Sequence, residues 1–162
     1  MPLTQTQQDH VSVFRDRLEA ECRGDGRFSG VTRHDRPDGS LLATRFETAD
    51  NPRVWLEIAV RPQIPQVRIG ILTDDRWKSE DFEEKIEESG DTMREFVEMG
   101  FEEAGLEWLD PPVEHFREER QYFYFATALD LKATEELTQP AVLKKARQML
   151  DGYYHAFGKY LK

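Results

Sequence analysis

Apolar residues recur along the chain with two different periods, which separate helical segments from extended ones. Spacings of three and four predict an amphipathic helix over residues 4–23, with Gly24 as its stop. The same spacing predicts helix over residues 74–105, where the sequence ESGDT allows a break into two helices. A wider apolar band predicts a last helix over about residues 139–161, broad enough to contact two neighbouring elements.

Extended segments separated by turn residues predict four consecutive strands in the first half of the chain. They are FSGVTRH, SLLATRFETA, VWLEIAV and VRIGILT. QYFYFATALDLK, residues 121–132, predicts a later strand, and VEHFR is a candidate to pair with it. Runs of strands, instead of regular alternation with helices, indicate a single α+β domain over residues 1–162. We expect a mainly antiparallel sheet of about five strands with N-terminal, middle and C-terminal helices.

The two faces of this predicted sheet differ in chemistry. In the two most apolar strands, one face is aliphatic and comprises Val54, Leu56, Ile58, Val60, Val67, Ile69 and Ile71. The opposite face mixes aromatic, charged and small residues, among them Trp55, Glu57 and Arg68. This pattern is typical of a sheet with helices on one face and a second face that is only partly covered.

The strand QYFYFATALDLK raises the question of what covers its two sides. Each aromatic ring carries about 150–250 Å² of surface, so four consecutive aromatics cannot all face water. A further helix, a second subunit, or a bound peptide or small molecule could cover the mixed side. If that side is a groove, we expect Trp55, Tyr122 and Tyr124 to form its floor, with Glu57 and Arg68 as polar partners.

Composition and charge indicate which kinds of partner and which cellular location to expect. The net charge is −10, and residues 74–119 hold 18 acids against 5 bases, which disfavours nucleic acid and membranes and favours a basic protein or peptide. Cys22 is the one cysteine, which excludes an internal disulfide. We expect a cytoplasmic protein, because the start of the chain is polar and the chain has no long apolar run.

The chain carries no recognisable catalytic, nucleotide-binding or zinc-binding motif. We therefore expect a protein that is not an enzyme and has no cofactor and no metal site. One alternative is a metal-dependent hydrolase or small-ligand-binding domain that uses Asp74 and Asp75, where a strand ends and a helix begins. Another is an immunity-type inhibitor whose acidic surface neutralises a basic toxin.

In the order of its elements, the chain resembles the type III secretion chaperone-like fold, including the YbjN-like group of bacterial proteins. The resemblance rests on the first helix ending at ECRGDG and on the strands LLATRFETA, VWLEIAV and VRIGILT. It extends through the acidic helix SEDFEEKIEES, the strand QYFYFATALDLK and the final helix PAVLKKARQMLDGYYHAF. It implies a homodimer that holds an extended partner segment on apolar surface, or a regulatory protein without catalytic residues. We thus expect a chaperone-like or regulatory protein-binding domain that acts through its aromatic sheet face.

Overall fold

The computed structural model describes residues 2–162 and has the α+β architecture that the sequence predicts. The helices are α1 (Gln5–Arg23), α2 (Arg76–Ser89), α3 (Met93–Glu103) and α4 (Pro140–Phe157), with 3-10 turns at Thr134–Thr138 and Gly158–Tyr160. The strands are β1 (Phe28–Asp35), β2 (Leu42–Thr48), β3 (Val54–Arg61), β4 (Gln66–Thr73), β5 (Glu114–Glu118) and β6 (Tyr122–Asp130). They form one antiparallel sheet in the order β1-β2-β3-β4-β6-β5. The sixth strand is β5, which contains most of VEHFR and pairs with β6.

Local hydrogen bonds fix the ends of the helices. Thr4 begins α1 through a capping box with Gln7, and Thr92 begins α3 through a capping box with Glu95. Gly90, with φ of 80°, ends α2, so the ESGDT segment does divide the acidic helical region in two. Within residues 2–162, no helix combines the length and the hydropathy needed to cross a bilayer.

All four helices share one hydrophobic core with the aliphatic face of the sheet. Phe82 of α2 and Phe157 of α4 pack against Phe125 of β6, with their ring centres 6.2 and 5.3 Å from its own. This arrangement confirms the predicted sheet parity, because the apolar side of QYFYFATALDLK lies on the helices. Its other side belongs to the opposite face of the sheet.

A polar cluster that the apolar pattern does not reveal joins α1 to the first two strands. Arg15 donates to both carboxylate oxygens of Asp35, at 3.0 and 2.9 Å. Glu19 accepts from Arg33 at 2.8 Å and from the Thr44 hydroxyl at 2.7 Å. Arg15 and Glu19 are both buried, so the inner surface of α1 is partly ionic.

Candidate functional site

The second face of the sheet, which we call the uncovered face, is the candidate site. Strand register places on it the side chains of Arg45, Trp55, Glu57, Arg68, Phe116, Tyr122 and Tyr124. Among the described residues, none of these side chains belongs to the core that the helices share with the sheet. The five residues predicted from sheet parity therefore do lie together on one face. What they bind remains a prediction.

A closed triangle of hydrogen bonds lies at the centre of the uncovered face. Arg45 Nε donates to Glu57 Oε2 at 3.0 Å, and Arg45 Nη2 donates to the Tyr124 hydroxyl at 3.1 Å. The Tyr124 hydroxyl in turn donates to Glu57 Oε2 at 2.9 Å. All three residues are at most 6% exposed. Each buried charge is thus paired and hydrogen-bonded, as stability requires.

The environment of Tyr124 keeps its phenol protonated. Burial, followed by the negative charge of Glu57, raises the pKa of Tyr124 far above its ordinary value of 10.0. The hydroxyl can therefore remain the donor to Glu57 at every physiological pH. This argues for a fixed, structural hydrogen bond instead of a proton-transfer role for Tyr124.

Two aromatic rings, those of Tyr122 and Trp55, lie at one end of this triangle. Tyr122 lies over the Arg45 guanidinium, with 4.3 Å between the ring centre and Cζ. Trp55 meets Tyr122 edge-on, with ring centres 6.2 Å apart and planes at 85°. Both rings are half-buried. Cation–π contact and edge-on packing hold these rings in place, while both residues stay partly accessible to solvent.

Arg68 and the residues of β5 occupy the neighbouring part of the face. Arg68 Nη1 donates to Glu118 Oε1 at 3.2 Å. Its Cζ lies 4.9 Å from the centre of the Phe116 ring and 5.1 Å from that of Tyr124. Phe116 and Tyr124 stack almost parallel, with centres 4.8 Å apart. Strand β5 therefore supplies both the hydrogen-bond acceptor and the apolar cover of Arg68.

Two members of this site were not predicted from the sequence. Arg45 stands directly opposite Glu57 in the β2–β3 register, and the alternation of β2 would have placed it on the mixed face. Phe116 lies opposite Tyr124 in the β5–β6 register. Its sequence signal was weaker, because β5 has only five residues and follows an irregular segment.

Asp74 and Asp75, the acids of the alternative hydrolase hypothesis, are bonded to other groups of the chain. Asp74 accepts from Arg53 Nε at 2.8 Å, and Asp75 caps α2 by accepting from the Trp77 backbone N–H at 3.0 Å. Within residues 2–162, no three His, Cys, Asp or Glu side chains are placed so that they could hold a metal ion. The contacts of Asp74 and Asp75 thus explain their positions without a ligand.

Most of the acidic helical residues lie on the other side of the sheet from the uncovered face. Exposed glutamates of α2, such as Glu83, Glu84, Glu87 and Glu88, face solvent on the helical layer. The uncovered face carries arginines between its aromatic rings together with Glu114 and Glu118 of β5.

Comparison with protein-family models, with curated proteins and with solved structures finds no match. The class of protein defined by fold and site is an α+β domain with one helix-covered and one uncovered sheet face.

Proposed function

We propose that this chain is a non-enzymatic protein-binding domain whose uncovered face holds a segment of a partner protein. The observation that carries the proposal is the asymmetry of the sheet. Its helices share a core with one face only, while the other face presents half-buried aromatic rings above a buried ionic triangle. Partly exposed aromatic surface on a rigid support is typical of an interaction site.

The construction of the face suits binding in two ways. Trp55 and Tyr122 belong to the residue types that contribute most to protein interfaces, because each buries a large rigid surface with few rotatable bonds. The Arg45–Glu57–Tyr124 triangle fixes their support before any partner arrives. A preordered face loses little conformational entropy on binding.

The resemblance to type III secretion chaperones leads to the same proposal, since those proteins hold extended partner segments. It adds a homodimer, for which β1 offers a surface. This eight-residue strand is at the edge of the sheet, and its outer side pairs with no strand of residues 2–162. A second copy could extend the sheet by pairing along this edge and would leave the uncovered face free.

We further propose a cytoplasmic location and a role for the acidic helices. Burial raises the pKa of the Cys22 thiol to about 11, so this one cysteine stays protonated and inert, as suits a reducing compartment. The exposed glutamates of α2 would attract a basic region of the partner.

The test compares aromatic variants on the two sides of the molecule. Trp55→Ala and Tyr122→Ala should each weaken binding of peptides selected from a displayed random library by about tenfold or more, which is 1.4 kcal/mol or more. Trp77→Ala is the matched control, because Trp77 is 77% exposed on α2 and lies in the helical layer. Affinities are measured by isothermal titration, and urea unfolding checks that each variant is folded. Peptide binding that both face variants retain would overturn the proposal.

A further inference from the structure

Arg68 has a hydrogen-bonding edge that nothing in the described chain satisfies. The side chain is only 5% exposed. Its Nη1 donates to Glu118, but Nη2 lies 3.6 Å from Glu57 Oε1, which is an ion-pair distance without a hydrogen bond. Within residues 2–162, Nε and Nη2 have no hydrogen-bond partner. These two nitrogens form the side of the guanidinium group that fits a carboxylate with two parallel hydrogen bonds.

The two residues directly opposite Arg68 in the neighbouring strands offer no side-chain acceptor. Register places Ala59 beside it on β3 and Ala128 beside it on β6, and a methyl group accepts no hydrogen bond. Buried donors without a partner are costly and rare in folded proteins. An acceptor that arrives with a bound partner would remove this cost.

A second arginine, Arg61, lies on the same face close enough to Arg68 to be repelled by it. Arg61 makes no ion pair with the described part of the chain. Burial, followed by repulsion from Arg68, lowers the pKa of Arg61. A carboxylate bound at Arg68 would reduce the repulsion between these two arginines.

We propose that the Nε–Nη2 edge of Arg68 binds the side-chain carboxylate of an aspartate or glutamate in the partner segment held on the uncovered face. This inference rests on the proposed function and names the chemistry that the face selects. Arg68 is shielded in the free chain, so the incoming side chain displaces a neighbour. Phe116 is the neighbour expected to move, because it is half-buried and belongs to the short edge strand β5.

The experiment selects binders from a displayed random peptide library on the wild-type chain and examines their acidic positions. Selected peptides should share an aspartate or glutamate at one position, and its replacement by asparagine or glutamine should weaken binding at least tenfold. On Arg68→Met the acidic and amide peptides should bind equally. Arg68→Lys, which keeps the charge but lacks the planar edge, should restore only part of the preference. Arg94→Met, at an exposed position on α3, should behave as wild type.

The possible results test the carboxylate inference and the proposed function separately. Wild-type protein that binds acidic and amide peptides equally overturns the carboxylate inference, while loss of binding in Trp55→Ala would still support the proposed function. Failure to select any peptide contradicts the proposed function itself. Inorganic phosphate is the third probe: if it shifts the Arg68 Nε–H resonance more strongly than the acidic peptide does, the assigned class of anion is wrong. The peptide comparison needs no protein variant and remains decisive even if Arg68→Met does not fold.

Discussion

Arg45 and Arg68 show that two buried arginines on one face can have opposite consequences for stability. Arg45 is bonded to both Glu57 and Tyr124, so its loss would leave a buried carboxylate and a buried phenol without their partner. Within residues 2–162, Nε and Nη2 of Arg68 have no hydrogen-bond partner, and its one bonded acceptor, Glu118, is partly exposed and can be hydrated instead. The loss of the two arginines should therefore have different effects on stability.

The corresponding prediction concerns stability. Arg45→Met should lower the free energy of unfolding by about 3–5 kcal/mol, which is the usual cost of breaking a buried ion pair. Arg68→Met should change it by less than about 1 kcal/mol or raise it, because an apolar side chain of similar length removes unsatisfied donors. Urea unfolding at neutral pH measures both variants. Equal destabilisation of the two would assign Arg68 a purely structural role.

At the scale of elements, the closest contact in the helical layer is between α3 and α4. Gly100 and Gly152 lie at this contact, and a Cβ atom at either would come within 2.3 Å of an atom on the other helix. The obstructing atoms are the Gly152 carbonyl oxygen and the Phe101 ring. Glycine is thus required here for close approach of two helices, although each interrupts a good helical pattern.

Gly152→Ala should lower the free energy of unfolding by about 1–3 kcal/mol, the usual cost of overpacking a well-filled core. Helix propensity alone would predict stabilisation, so the sign tests the contact. Gly26→Ala is the control, since no atom lies within 4 Å of the Cβ it would add. Thermal unfolding of both variants makes the comparison, and a Gly152→Ala protein as stable as wild type would show that the helices lie further apart.

The elements themselves could largely be predicted from the sequence. The period of three and four in α1 and the alternation in β3 and β4 are local properties of the chain, so they are visible without a fold. Strand β5 was less certain, because a five-residue edge strand shows little alternation and its pairing depends on β6.

At the scale of the whole molecule, net charge and self-association oppose each other. Each copy carries −10, so two copies that pair along β1 repel one another at low ionic strength. Salt screens this repulsion, since the Debye length falls to about 10 Å at about 0.1 M. Any dimer should therefore strengthen as salt is added.

The prediction is a mass in solution that rises from 19.0 kDa towards twice that value as ionic strength increases from about 0.05 M to about 0.5 M. Sedimentation equilibrium at several protein concentrations measures it. A single 19.0 kDa species under every condition would remove the homodimer from the proposal and leave the uncovered face unaffected.

The sequence by itself determined the α+β class, the position of the elements and which side chains share each face of the sheet. These follow from periods of two and 3.6 residues, which depend only on neighbours along the chain. The tertiary structure decided which polar side chains are buried and which donors lack a partner. The contacts responsible are remote in sequence, as in Arg45 with Tyr124, 79 positions apart, and Tyr124 with Glu57, 67 apart. No local pattern records such contacts. The sequence therefore placed Arg68 on the correct face of the sheet, but only the fold showed that its Nε–Nη2 edge has no hydrogen-bond partner within residues 2–162.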